Sequence, residues 1–457
     1  MSFLSLSSLI TETYQQYEKN NTENCPAILL KLLKEKHLWP SIKLKRFKRE
    51  PNLCLVHNSY KRDDVEGFRE LYDECRSVIL DFSRSIGNNV VISYANSIPV
   101  RSSIQNYTTS IYEPTDRSYI AMDGTLISVY YHNNSWYFGS SCCPDINGSK
   151  FSHPTKSHGY MLDEVLYEYY KTKVDINDVN ISTVLRGLFT ANLSPLFSYE
   201  FVLIHHENIH IINYSKELGD NYKCLFHINT KNRITLTEEN LDNKPLEYLG
   251  IKYPHKFQNP EEAINFLSTN DNSIIIKKPT GKLFKVSSDK ISHCDEVNAN
   301  NYNQWYNLLY VYMLQKPDYN INQYVAEFLS NEDISPYINA YNDINTAFMI
   351  MTEVIYNLYI ATTNYYPKYK RFKVNLDLDR TLNPVMRFHL AQLRHHQTTS
   401  YQKAIITQKE IFDYLCHSNN IKNVKKIIAH VFSNCATYNL PQEVNTIFAK
   451  LNLNLAF

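Results

Sequence analysis

The chain has 457 residues, 43% of them hydrophobic, which excludes a disordered polypeptide and is enough for two or three domains with their own cores. Its formal net charge is only +1, so nucleic-acid binding through a global field is excluded and must come from local patches if it occurs. The nine cysteines include no C-x-x-C pair, which argues against a zinc site and reads as reduced thiols in the cytoplasm.

Tyrosine is abundant at 36 residues and glycine scarce at 10. Codon usage in an AT-rich genome accounts for most of that excess, although each ring is also a stacking face. The start of the chain lacks a basic region followed by an apolar core, so no signal peptide is expected. No run of about 18 apolar residues predicts a membrane span. The most apolar helical stretch, around 347–361, is interrupted by Thr352, Glu353 and Asn357 and reads as a core helix.

In chain order, residues 3–37 read as two helices. Leu6, Leu9 and Ile10 share a face, Leu29, Leu30, Leu32 and Leu33 begin the second helix, and Trp39-Pro40 ends it. A basic strand follows, with Lys43, Lys45, Arg46, Lys48 and Arg49 interleaved with Ile42, Leu44 and Phe47. Two readings stand level: a sheet edge guarded by lysines, or a contact with an RNA backbone. Strands are expected at 53–57 and 77–82, the second opened by Glu74-Cys75-Arg76. That pair is either a surface pair or includes an arginine aimed at a phosphate, which guanidinium geometry suits. More strands are expected at 90–94, 125–131 and 136–139, and a helix at 162–170.

Asp123-Gly124 is a turn signal at the mouth of the 125–131 strand. The strand at 198–203 carries Glu200 in its middle, where a carboxylate among apolar neighbours must be paired or face a cleft. His205, His206 and His210 follow, but across a strand–turn–strand rather than on one helix face, which argues against a metal site. Strands are expected at 209–213 and 223–228. Residues 272–288 form a hairpin around Pro279-Thr280-Gly281, with Lys285 in its second strand.

Beyond residue 295 the pattern is helical, at 301–315, 320–330, 337–365, 382–397, 407–418, 421–435 and 441–452. The expected organisation is an α+β domain over 1–295 and an all-α domain over 296–457. The second has basic stretches at Lys368, Lys370, Arg371 and Lys373 and at Arg387, Arg394, His395 and His396. A solvated face is the default reading for these, with RNA contact as the sharper one.

The order of these pieces resembles the RNA ligase 1 family of T-even bacteriophages, ATP-dependent enzymes of the covalent nucleotidyltransferase superfamily. Glu74-Cys75-Arg76-Ser77 is similar to the family's E-C-R-G, and Ala121-Met122-Asp123-Gly124 to motif I, Lys-x-Asp-Gly. Ser198-Tyr199-Glu200-Phe201-Val202 looks like motif III, and Phe284-Lys285-Val286-Ser287-Ser288 like motif V. The resemblance implies a nucleotidyltransferase fold of the ATP-grasp-like ligase type with a helical C-terminal domain. It implies ATP and Mg2+ as cofactors if the chain is a ligase, with Glu74, Arg76, Gly124 and Lys285 at the nucleotide. It further implies Asp123 and Glu200 in the chemistry, Glu200 at the metal, and RNA ends as substrate.

The departures matter as much. Motif I supplies the nucleophilic lysine, and here Ala121 stands in its place with no lone pair to offer. Asn272-Ser273 replaces the Glu-Gly of motif IV, and Ser287 replaces the second lysine of motif V. The family's K-F-F-N falls on Ser103-Ile104-Gln105-Asn106, with Ser103 for its lysine. Either a ligase is disabled at position 121 alone, or several catalytic charges are lost together; the parallel losses at 272 and 287 favour the second. The expected function is then a catalytically degenerate relative that binds single-stranded RNA or nucleotide and needs no cofactor. The alternatives are a disabled RNA ligase of the RNA-repair type, or a protein reusing the fold to assemble with a protein partner.

Overall fold

In the computed structural model, residues 4–455 are described except 21–22, 40, 49, 59–65, 85–89, 97–98, 103, 105–112, 114, 151–154, 175–179, 209, 213, 289–290, 293–303, 315–334, 367–370, 398–405 and 419–420. The chain divides into two compact units, Met1–Ser292 and His293–Phe457.

The first unit opens with α1 (Leu4–Asn20) and α2 (Cys25–Glu35). Asn24 caps α2 by accepting the Ala27 N–H at 3.0 Å, and Pro26 sits in the first turn, where its missing N–H costs nothing. The first sheet is antiparallel, in the order β1 (Ile42–Arg46), β2 (Leu53–Asn58), β3 (Val78–Asp81) and β4 (Val91–Ser93). One face, with Val56, Val78 and Leu80, packs on Leu29, Leu32 and Leu33 of α2. The other, with Leu55, Ile79 and Ile92, packs on Tyr130 of the second sheet.

The remaining strands of this unit form two further sheets. The third sheet has the order β5 (Val100–Ser102), β12 (Leu283–Ser287), β11 (Ser273–Lys277) and β6 (Arg117–Ile120). The second has the order β10 (Lys223–Asn232), β9 (Phe197–His205), β7 (Thr125–His132) and β8 (Ser135–Ser140). Each keeps one face for helices. Phe201, Leu203, Ile127 and Val129 pack against α3 (His158–Tyr170) and α4 (Ile181–Thr190) through Leu162, Val165 and Phe189. Ile274, Ile276, Phe284 and Val286 pack against α5 (Pro260–Thr269) through Ala263 and Leu267. Side chains alternate across a strand, so the opposite face of the second sheet carries Glu200, Asn229 and Lys231 beside an apolar cluster of Val202, Ile204 and Phe226.

Of the strand expected at 209–213, the described residues 210–212 are not in a strand. Ile211 and Ile212 donate their N–H groups to the Asp123 carboxylate, at 2.6 and 3.3 Å, instead of to a neighbouring strand. Strands 53–58, 78–81, 125–132, 135–140, 197–205 and 223–232, the 273–287 hairpin and the helix at 158–170 stand where the pattern placed them, within a few residues.

The second unit is built on α6 (Gln304–Leu314), α7 (Ser335–Thr362), α8 (Pro384–His396), α9 (Ile421–Ser433) and α10 (Gln442–Asn454). Their apolar stripes meet in one core through Tyr312, Phe348, Met351, Leu390, Ile428 and Phe448. It is not all-α: β13 (Thr363–Tyr366) and β14 (Arg371–Val374) pair in a hairpin, as β-branched and aromatic residues there favour. Tyr337–Thr362 is long and apolar enough to cross a membrane by length and composition, contrary to the sequence expectation. Yet Ala347, Phe348, Met351 and Ile355 on it are fully buried in this core. The expected helix at 320–330 and the side chains of the 368–373 basic stretch lie outside the described residues.

Candidate functional site: a polar cleft between two sheets

The turn at Met122-Asp123-Gly124 carries the chain from the third sheet to the second. Gly124 is required there: a Cβ would stand 2.5 Å from the Leu203 carbonyl oxygen and 2.7 Å from Val202 Cγ1. Asp123 fixes the turn. Its N–H donates to Tyr214 Oη at 2.7 Å, and its carboxylate holds the 211–212 backbone as described above. The described bonds of Asp123 are therefore structural.

Ala121 extends β6, and its N–H donates to the Ser273 carbonyl at 2.8 Å. Ser273 lies opposite Ser287 in the β11–β12 register, and their hydroxyls are hydrogen-bonded at 2.7 Å. So 121, 273 and 287 form a single uncharged row across three strands. Asn272, beside it, turns its Oδ1 onto the Ser273 N–H at 2.8 Å. Further along the same face, register places Lys285 opposite Ile275 and Arg101, and Lys277 opposite Leu283 and Arg117.

The facing surface of the second sheet centres on Glu200, which is 2% exposed. It lies between Ser128 of β7 and Asn229 of β10. Glu200 Oε2 accepts from Asn229 Nδ2 at 3.1 Å and from Lys231 Nζ at 3.3 Å. Lys231 also donates to the Tyr94 carbonyl at 2.7 Å and stands 3.9 Å from the centre of the Tyr94 ring. Asn229 passes the network on to Glu238 at 3.3 Å, and Glu238 pairs with Lys277 from the third sheet. Burial lowers both lysines to about 8, Lys277 also under the charge of Lys231. Two buried oxygens on this face, Glu200 Oε1 and Ser128 Oγ, have no hydrogen-bond partner among the described residues.

The structure thus brings Glu200 and Lys285 to facing sheets, Ala121 to their margin and Arg76 within electrostatic reach of Lys231, while Glu74 and Asp123 have structural partners. Glu74 accepts from the Ser5 and Leu6 N–H groups, the latter at 2.7 Å, and so serves the start of α1. Arg76 is close enough to Lys231 for its charge to act on that amine. Lys43, Lys45 and Arg46 belong to β1, which is the far edge of the first sheet from β4, with Lys45, Arg46 and Lys48 exposed. That placement matches the guarded-edge reading and takes them away from this cleft. Of residues 103–106, only Ile104 is described.

Sequence reasoning missed Lys231, Asn229, Glu238 and Lys277. The strand expected at 223–228 stops short of Asn229 and Lys231, which the register shift after His227 turns to the face of Glu200.

A divalent metal fits this cleft poorly. Such ions take six or more oxygens, usually several carboxylates. Here the ammonium of Lys231 already lies against Glu200, and Asn272 is neutral and turned onto its own backbone. A second acidic group repeats the pattern. Glu164, His205 and Glu207 gather ligand atoms within 4.8 Å. Lys156 nevertheless pairs with both carboxylates, and both His205 nitrogens are engaged, Nε2 by Glu164 at 2.7 Å and Nδ1 by the Glu207 N–H at 3.2 Å.

Buried histidines contribute to loss of stability in acid. Burial holds His158, His227 and His389 down to about 4. The unfolded chain takes up these protons near pH 6.5. Between about 6.5 and 4 the unfolded state binds more protons, so stability is full above that window and falls as pH drops through it, by at most about 1.4 kcal/mol per pH unit per histidine. Urea midpoints at pH 7.5 and pH 5 should therefore differ clearly, the lower pH being the weaker; equal midpoints would refute neutral burial.

No family model matches the sequence, and no curated protein matches it. Among solved structures the chain is similar to a candidate ATP-dependent DNA ligase from Aquifex aeolicus, with 13% identity and a TM-score of 0.37, over 74% of this chain and 82% of that one. It is similar to an archaeal ATP-dependent RNA ligase, with 10% identity and a TM-score of 0.37, over 78% and 84% of the two chains. A Naegleria gruberi RNA ligase with PPi gives 11% identity and a TM-score of 0.28, over 48% and 65%.

Proposed function

We propose that this chain is a ligase-like protein of the nucleotidyltransferase type that has lost covalent chemistry and binds single-stranded RNA, without turnover, on the cationic face of its third sheet. The observation that carries this reading is the Ala121–Ser273–Ser287 row. Covalent nucleotidyl transfer needs a lysine amine at the α-phosphate and charged groups to steady the leaving pyrophosphate. At the three positions where the ligase resemblance requires such groups or their neighbours stand a methyl and two hydroxyls. Adjacent to them, Arg101, Arg117, Lys277 and Lys285 share one face, which suits phosphates and needs no catalysis.

Phosphate contacts of this kind release counterions, so the logarithm of the affinity should fall linearly with the logarithm of salt, with a slope of about 0.7 per phosphate neutralised on a single strand. Fluorescence anisotropy with a labelled oligoribonucleotide across a salt series tests it. Binding should be modest and indifferent to sequence. Arg117→Glu and Lys285→Glu should each weaken it and lower the slope by about 0.7. Reversal at Lys45, Arg46 and Lys48, on the outer edge of the first sheet, should leave it nearly unchanged. Absence of binding even at low salt would reject the RNA reading in favour of a protein-assembly role.

A further inference from the structure

We infer that Lys231 is a built-in counter-ion that takes the place of a divalent cation at Glu200, so that the acidic centre of this cleft admits no metal until that amine is removed. The inference stands on the geometry at Glu200 and does not rest on RNA binding.

The placement of Lys231 depends on an irregularity in β10. His227 lies opposite Phe201, but Asn229, not Ile228, lies opposite Glu200, because the register shifts by one residue between them. Without that bulge, alternation would put Lys231 opposite Phe197, on the face that packs against α3 and α4. With it, Asn229 and Lys231 both turn to the face of Glu200, and Lys231 falls opposite Ser198. A lysine on the helix face would be an unpaired charge in an apolar core. The bulge and the lysine therefore belong together.

The groups around the amine are those a hard cation would choose. The Nζ stands 2.7 Å from the Tyr94 carbonyl oxygen and 3.3 Å from Glu200 Oε2. Glu200 Oε1 and Ser128 Oγ add two more buried oxygens on the same face without partners among the described residues. Carbonyl, carboxylate and hydroxyl oxygens make a donor set for a dication. What the set lacks is room for a second positive charge, because Lys231 is 1% exposed and already there. Lys156 between Glu164 and Glu207 is a separate instance of a lysine standing where carboxylates gather.

The test uses the full chain and manganese alone, with free Mn2+ followed by EPR at neutral pH. Three proteins are compared: the unaltered chain, Lys231→Met, and Lys231→Met combined with Glu200→Gln. The last variant removes both charges, keeps the shape of both side chains and serves as the metal-blind reference. The unaltered chain should bind the same amount of Mn2+ as this reference. Lys231→Met should bind one equivalent more than either. One extra equivalent on the unaltered chain overturns the inference, and so does a folded Lys231→Met that gains none. If Lys231→Met does not fold, Lys231→Gln takes its place, and an extra equivalent on the unaltered chain over the doubly neutral variant still overturns the inference. Because no RNA or nucleotide is present, failure here is distinct from failure of the proposed function.

Discussion

Glu200→Ala should destabilise the first unit by about 3–5 kcal/mol, the range expected when one partner of a buried ion pair is removed. The loss is not that of one hydrogen bond. Lys231 is fully buried, and without the carboxylate its ammonium keeps, among the described residues, only the Tyr94 carbonyl and ring. Asn229 loses the nearer of its two carboxylate acceptors, at 3.1 Å, in the same step. Lys231→Met should also destabilise, because it leaves a carboxylate that is 3% exposed with one amide donor. Removing both charges together, as Lys231→Met with Glu200→Gln, should return most of the stability, since a neutral pair of similar shape carries no desolvation penalty. Urea denaturation of the unaltered chain, Glu200→Gln, Lys231→Met and the variant that combines these two closes a double-mutant cycle. A large non-additive term is expected. Simple addition of the two single losses would mean that the pair is not coupled in solution.

How far the sequence revealed this site can be argued from the same residues. A carboxylate among Tyr199, Phe201 and Val202 announces that it must be paired or face a cleft, and Glu200 is buried and paired. Its partner was hidden, because period-two alternation along 223–232 assigns Lys231 to the wrong face. Only the bulge corrects it, and a bulge leaves no dependable mark in a sequence. Asp123-Gly124 was legible as a turn, and the short distance from Gly124 to Leu203 explains the glycine. What the turn does with its aspartate was not legible, since it captures the 211–212 backbone across 88 residues of chain and so keeps those two residues out of the strand expected there. Glu74 shows the opposite failure. It stood in a motif-like string, yet it serves the first helix of the chain. Local patterns fixed the elements well; the partners of buried charges came from contacts far apart in sequence.

The second large effect concerns recovery of covalent chemistry. Ala121→Lys alone should not restore a labelled adduct when the chain is incubated with radiolabelled ATP and magnesium. A lysine at 121 acts as a nucleophile only when its amine is deprotonated beside the α-phosphate and the leaving pyrophosphate is stabilised. The row it would join offers no such help. Its neighbours are the Ser273 and Ser287 hydroxyls, which bond to each other at 2.7 Å, and Asn272, which is turned onto its own backbone. One amine added there finds no cation within the row itself, Lys285 being two residues further along its strand, and no carboxylate in the row to take a metal. Adding Ser287→Lys supplies the cation on the strand of Lys285, and Asn272→Glu supplies the acid at the edge of the row. The triple variant should therefore give a covalent AMP adduct, stable to denaturation, where the unaltered chain and Ala121→Lys give none. Mass spectrometry should place the adduct on the lysine introduced at 121. Strong labelling of the single variant would reverse the interpretation. The chain would then be a ligase disabled at one position, with its phosphate and metal contacts intact elsewhere, and the neutral row would be incidental to its loss of activity.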